Sequence, residues 1–525
     1  MVYGQSSFRR LADAFSFLFM PATAQVQNFR VNNPAEDTYS AISQTEESIG
    51  VSRWGNQRTI VVGFNDSALF PTTITGFAVS TDGGGTWQDR GGLMPAPGGY
   101  NGGDPVVVGD ASGQFYFGHL EQTAPRQDPT ARVFIAVNIS SDGFSFGGPY
   151  DASPGTPTLM QHYTQDKPQM AVDNVTGSGN IYVCWSEHTI PPLAYGRRIR
   201  FSRSTDHGLH YSNPPLILTD LGTGAPGTPA PTGCSIAVGP GPHGDVYVAW
   251  YDAEWGNMQV LRSTDQGLNF FFTTDGGQTF QYTPCCPYSK IGCATQPPLP
   301  QCQTFAHADA PPDDAACGTL EGALNGHVRN GPLANLATDP LVDGYVYAVF
   351  DHYDYHGTPP SSDIMFSRSI NYGATWSAMP MRLNDVTTGD QFQPTIATRI
   401  YQTQTSLIRV IWYDRRRDPA NLAYDIYSNT SQDHGVNWQT NGRVTNVSQP
   451  MPLPTLAPNF DCQGGLCYFG DYIGLNSTTA NGGSFIGAWG DTRDTASGTP
   501  CAHPSPTPAG PATSPDPNVY SALGC

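Results

Sequence analysis

The chain has 525 residues, with 25 Lys and Arg against 44 Asp and Glu, for a formal net charge of −19. A surface of that sign repels phosphate backbones, which excludes nucleic acid as a partner, and no apolar run reaches the roughly 18 residues of a membrane-spanning helix. With 58 Gly and 46 Pro beside runs rich in Val, Tyr and Trp, the composition describes an all-β chain with many turns.

Residues 1–24 carry Arg9-Arg10, a short apolar run and Ala22-Thr23-Ala24. This is the pattern of a secretory signal, with the arginine pair hinting at twin-arginine export, and it predicts a secreted protein folded from residues 25–525. Eleven cysteines suit an oxidising compartment. Cys462 and Cys467 are close enough to pair, and Cys501 and Cys525 bracket a Pro-rich loop at 495–517. Five more crowd a Cys/Pro-rich insertion at 281–330, where irregular spacing favours disulfides over a metal site.

Seven apolar runs then follow in order, each ending in an acid. "TIVVGFND" ends at Asp66, "QFYFGHLE" at Glu121, "NIYVCWSE" at Glu187, "DVYVAWYD" at Asp252, "GYVYAVFD" at Asp351, "IRVIWYD" at Asp414 and "SFIGAWGD" at Asp491. Two residues before the acid the side chain is mostly large, as in Trp185, Trp250, Trp412 and Trp489. Three before it the side chain is mostly small, as in Gly63, Gly118, Cys184, Ala249 and Ala488. Strands apolar on both faces belong between stacked sheets, and the small column lets a neighbouring sheet approach. Cys184 lies in that column and is expected to be a buried free thiol. The other ten cysteines would then form five pairs, with Cys234 reaching the insertion.

A shorter strand precedes each run and another follows it, leading into a turn of the form S-x-D-x-G-x-T-W. Copies include "STDGGGTW" from Ser80, "STDHGLHY" from Ser204, "STDQGLNF" from Ser263, "TTDGGQTF" from Thr273, "SINYGATW" from Ser369 and "SQDHGVNW" from Ser431, with a shortened "SSDGFSF" from Ser140. In each, the Asp side chain can accept N–H groups of its own turn while Gly supplies a positive φ, so the motif reads as a structural clasp. Repetition on this scale predicts a single seven-bladed β-propeller with four-stranded blades. "NVYSAL" supplies the third strand of the last blade and "NFRVNN" its fourth, so both ends of the chain close the ring and leave no open edge.

The acids share one face, here called the top, where the long loops gather. Further acids precede the inner strands: Glu47, Asp104, Asp166 and Asp471. An acid repeated in every blade suits capping of loop N–H groups, whereas a few converging on a central pocket suit acid–base chemistry. The candidate catalytic acids are Asp104, Asp166, Glu187, Asp252, Asp414 and Asp471. Two blades share W-x-D-x-R, which makes Arg416 and Arg493 candidate substrate clamps, with Trp412 and Trp489 beside them. The alternative for these is a structural Asp–Arg pair between blades. No cofactor is required; Ca²⁺ is the one ion such an acid ring could hold.

The repeated Asp turns on a propeller resemble the Asp-box (BNR) repeats of the sialidase-like superfamily, from Ser80 to Trp438 by motif and from Glu47 to Tyr520 by blade pattern. Sialidases of that superfamily have six blades, the alternative count here, and combine an arginine triad with a Tyr nucleophile and an Asp acid. Their F/Y-R-I-P motif is missing from "TEESIGVSRWGN", and Arg53 falls on a bottom turn, so the triad has no counterpart to place. Seven-bladed relatives include glucan-cleaving enzymes. The resemblance implies a secreted propeller that engages extracellular carbohydrate at its top pocket, as a glycoside hydrolase or as a non-catalytic platform capable of self-association.

Overall fold

The computed structural model describes residues 26–36, 44–54, 57–66, 72–125, 128–156, 163–189, 196–219, 230–242, 244–270, 272–273, 280–281, 303–312, 323–326, 328–401, 405–450, 470–478, 483–497 and 513–525. The signal-like segment, most of 281–330, the centre of the 495–517 loop and eight of the eleven cysteines lie outside these.

Seven four-stranded antiparallel sheets form a seven-bladed β-propeller. The second strands are the predicted apolar runs: Gln57–Asp66, Phe115–Gln122, Ile181–Thr189, Val246–Asp252, Val346–Asp354, Thr405–Asp414 and Phe485–Ser497. Apolar side chains on both faces pack into seven cores, each shared between two adjacent blades. The small column does what its size allows. A Cβ on Gly63 would meet Phe117 and Val107, and one on Gly118 would meet Met170, so the next blade lies directly against it. Blade seven closes as expected. Its outer strand is Asn28–Arg30, paired with Thr513–Leu523 in the register Asn28↔Ala522 and Arg30↔Tyr520.

The clasp turns are built as their sequence requires. Ser80 Oγ accepts the N–H of Gly84, while Asp82 Oδ1 accepts those of Gly85 and Thr86, each at 2.9 Å. The same bonds recur around Asp206, Asp265, Asn371 and Asp433. All of these turns join third strands to outer strands, on the bottom.

Two expectations are corrected. Cys184 is not a free thiol: it forms a disulfide with Cys234. Its small column faces the inner strand of blade four, and the close approach that the column permits brings Cys234 into bonding range. The free buried thiol among the described residues is Cys525. Second, the outer strand of blade four is Gln303–His307, inside the segment expected as one Cys/Pro-rich insertion at 281–330. That insertion is therefore divided, one part running between the third and outer strands and the rest leading on to blade five.

Candidate functional site

In five blades the inner strand begins well before its apolar run, at Gln44, Tyr100, Tyr163, Pro231 and Gln391. In blades one, two, three, four and six the pairing shifts register near the top of the inner strand. At each shift one residue adopts a left-handed conformation: Glu46 (φ 61°), Asp104 (53°), Lys167 (50°), Gly233 (56°) and Gln393 (49°). For a residue with a side chain this costs on the order of 1–3 kcal/mol, and a bulge re-aims the side chain. Here the shifts turn charged groups of several blades toward the axis.

Lys167 stands at the centre of the resulting cluster. Its ammonium lies 2.9 Å from Asp471 Oδ2 and 3.2 Å from Asp166 Oδ2. Its backbone N–H donates to Asp104 Oδ2 at 2.9 Å. Arg329 Nη2 donates to Asp471 Oδ2 at 2.6 Å, and His188 Nε2 lies 3.5 Å from Asp166. Asn65 ties in blade one, donating to Glu46 Oε2 and accepting from the Asp104 N–H, both at 2.9 Å. Blades one, two, three and seven thus meet at one point, as only the axis of the ring allows.

The four carboxyls are driven apart in acidity. Burial, the neighbouring Asp166 charge and a hydrogen bond with it push Asp104 up to about 7, against the pull of Lys167. Asp166, which opposes burial with Lys167 and His188, is held well below the usual carboxylate range while its side chain stays 27% exposed. Asp471 is likewise held down against burial, by Arg329 and Lys167. Glu46, buried and facing Asp104 and Asp471, is raised. The cluster therefore sets carboxyls that hold their protons more tightly, Asp104 and Glu46, beside carboxyls that release theirs more readily, Asp166 and Asp471. Asp166 and Asp471 both touch the one ammonium of Lys167.

Lys167 and Asp471 also form the inner end of a top-face cleft of about 580 Å³. It runs outward over blades three to five, with Tyr251, Trp255, Tyr355 and His307 among its walls and Arg197 at its side. A small cavity of about 30 Å³ shares its inner walls and reaches Gln169, Gln393 and Tyr472. Aromatic faces beside scattered polar groups are the surface a sugar ring requires.

Of the sequence-derived acids, the structure brings Asp104, Asp166 and Asp471 together. It does not bring the others to them. Glu187 is fully buried in ion pairs with Arg198 and Arg200. Asp252 caps the N–H groups of Ala230 and Glu254, and burial pushes it up to about 6. Asp414 accepts from Trp412 Nε1 at 2.8 Å and takes a two-pronged grip from Arg416. Asp491 does the same with Trp489 and Arg493. Trp412 and Trp489 are 0% exposed and offer no face to a ligand. Arg416 and Arg493 also stack over Tyr427 and Tyr520 at 4.1 and 4.2 Å. Each W-x-D-x-R is thus a clamp within its own blade whose members also reach the connection from the preceding blade, Arg416 to Asp385 and Arg493 to Asn446. Among the described residues no group of His, Cys, Asp and Glu has the arrangement of a metal site, and Lys167 stands where a cation would.

Sequence reasoning missed Glu46 and Lys167. The signal for Lys167 was present: the chain has two lysines, Lys167 and Lys290, and Lys167-Pro168 occupies the place of Asp104-Pro105 and Gln393-Pro394.

The fold and site define a seven-bladed propeller with an axial lysine–carboxylate cluster opening into an aromatic cleft. No protein-family model matches the chain, and no curated protein does. Solved structures similar to it include a Hadza microbial sialidase, Hz136, at 13% identity over 89% of this chain and 76% of that one, with a TM-score of 0.38. Another is the GH93 α-L-arabinofuranosidase of Fusarium graminearum with arabinobiose, at 11% identity over 95% and 97%, with a TM-score of 0.41. A third is the α-L-arabinanase of Penicillium chrysogenum, at 11% identity over 95% and 98%, with a TM-score of 0.39.

Proposed function

We propose that this protein is a secreted glycoside hydrolase of the Asp-box propeller type, which binds extracellular carbohydrate in the top-face cleft and cleaves a glycosidic bond at its inner end. The observation that carries the reading is the divergence between two touching carboxyls. Asp104 keeps its proton to about 7, while Asp166 stays ionised and partly exposed. Carboxyls whose surroundings push their acidities apart are suited to opposite roles, one donating a proton and the other bearing charge. In this reading Asp104 protonates the departing sugar oxygen. Asp166 or Asp471 supports the positive charge that grows on the sugar ring, and Lys167 fixes both in place. The aromatic walls hold the sugar.

The test is a panel of polysaccharides and aryl glycosides assayed for released reducing ends, with Asp104→Asn and Asp166→Asn as controls. Cleavage that survives both substitutions, or none by the wild type on any glycan, defeats the assignment.

A second reading has its own support. Lys167 and Arg329 already compensate Asp471, and Lys167 and Asp471 are each only 8% exposed, as a structural pin would be. The protein would then bind glycan without cleaving it, as a platform able to self-associate. Saturable glycan binding without turnover, unchanged in Asp104→Asn, selects this reading.

A further inference from the structure

The seam between blades six and seven, at the bottom, holds an arginine pair unlike the others in this chain. Among the described residues four arginines are buried: Arg200, Arg262, Arg399 and Arg415. Arg200 pairs with Glu187, Arg262 with Asp245 and Arg415 with Asp390. Arg399 has no carboxylate partner among the described residues, and its Nε and Nη1 are buried without a hydrogen-bond acceptor. Arg409, on the adjacent strand, bonds Ser428 Oγ at 3.2 Å, and its Nε is likewise unmet. Both guanidinium carbons lie over one ring, that of Phe485, at 5.3 and 5.4 Å. Arg399 also lies 5.4 Å from the ring of Tyr401.

Two like charges on one aromatic ring, partly out of water, are an expensive arrangement unless an anion joins them. Burial and the neighbouring Arg399 weaken the hold of Arg409 on its proton, and burial does the same to Arg399. Cys525 pulls the other way on Arg409, but burial pushes its own thiol up to about 11. Among the described residues no carboxylate pairs with either guanidinium, whereas the other buried arginines each have one. Ring stacking meets the flat faces of the guanidiniums and leaves the buried Nε and Nη1 of Arg399 and Nε of Arg409 without an acceptor among the described residues.

We infer that Arg399 and Arg409 form a subsite for a small oxyanion, a phosphate, sulfate or carboxylate group, on the face opposite the cleft. Fork-shaped donors suit tetrahedral or planar oxyanions, and Ser428 stands beside Arg409 as a further polar group. The inference is independent of the proposed glycosidase reading, because no residue is shared with the axial cluster.

The experiment is calorimetric titration of the full chain with inorganic phosphate and sulfate in one arm and a sulfated monosaccharide in the other, at constant ionic strength. Saturable binding of one anion per chain is expected, weakened at least about tenfold in Arg399→Gln and in Arg409→Gln. Arg399→Lys, which keeps the charge and loses the fork, should weaken binding less. Asp104→Asn should leave it unchanged. Tighter binding in the second arm identifies a group carried on a glycan; equal binding identifies a free ion. The inference is overturned if the wild type shows no saturable binding in either arm, or if binding is unaltered in the arginine variants. Should a Gln variant fail to fold, the wild-type titration and Arg399→Lys decide the matter between them.

Discussion

The ammonium of Lys167 sits 2.9 Å from the carboxylate of Asp471, joining an inner strand of blade three to the chain entering blade seven across the axis of the ring. Both are nearly buried, so neither charge can return to water if the other is removed. Removing one partner of an isolated buried pair costs about 3–5 kcal/mol, and here the loss is smaller because Asp166 stays beside Lys167 and Arg329 beside Asp471. Lys167→Met should therefore lower the urea midpoint by leaving Asp166 and Asp471 with fewer cations, and Asp471→Asn should do so by removing the carboxylate that Lys167 and Arg329 share. The double variant should be less destabilised than the two single losses added together. Additive losses in a double-mutant cycle would show that the contact carries no coupling.

The same cluster fixes the expected pH dependence of turnover. Asp104 holds its proton until about 7, and the role proposed for it needs that proton. Activity should be level through mildly acidic pH and fall about tenfold per unit above 7, as the proton is lost. Asp166 lies far below that range and adds no limb at neutral pH. Asp104→Asn should abolish cleavage while glycan binding persists. A rate that climbs between pH 7 and 9 would reverse the assignment, making Asp104 a base.

Much of the architecture was legible because propeller strands obey local rules. A run apolar on both faces and closed by an acid marks a second strand, and an Asp turn with its own internal bonds marks the bottom. Even the N-terminal closing strand followed from the need to pair the last edge. What local rules do not carry is the register shift at the top of the inner strands. Alternation alone singles out Glu47, but the bulge turns Glu46 to the axis and sends Glu47 into the seam with blade seven. Lys167 was missed for the same reason: its place before Pro168 matches that of Asp104 before Pro105, but it is the register shift that turns it to the axis. The W-x-D-x-R repeat misled in the opposite direction. Two residues apart on one strand lie on one face, so Asp414 and Arg416 satisfy each other locally and leave nothing for a ligand.

The disulfide between Cys184 and Cys234 staples blade three to blade four beneath the cleft. The cysteines are 50 positions apart, and closing a loop of that size restricts the unfolded chain. Replacing both with Ala should cost about 2–4 kcal/mol. It should also loosen the cleft floor, because Cys234 and Lys167 line the same small cavity. Thermal unfolding with and without reductant checks the first part. The wild type should shift under reductant only once unfolded, since Cys184 is 0% exposed and Cys234 5%. The double variant should show a smaller reductant effect than the wild type, by the share that this disulfide carries.

Glu47 provides a stability test independent of any activity. It is 1% exposed, and burial, with the charge of Asp491 adding to it, raises its carboxyl to about 8 despite backbone N–H bonds from Gly490 and from Glu47 itself. In the unfolded chain the same group ionises near its ordinary 4.5. Between those values the folded ring binds a proton that the unfolded chain has released. This contribution to stability is full below pH 4.5 and falls by about 1.4 kcal/mol per unit as pH rises, levelling above 8. Glu47→Gln keeps the shape without the titration. Its melting temperature should match the wild type at pH 4.5 and exceed it increasingly toward pH 8. Other raised carboxyls, Glu121 and Asp351 among them, titrate in both proteins and cancel in the difference. A constant offset across that range would mean that Glu47 is already ionised in the closed ring, with Gly490 N–H bonding strong enough to hold the charge.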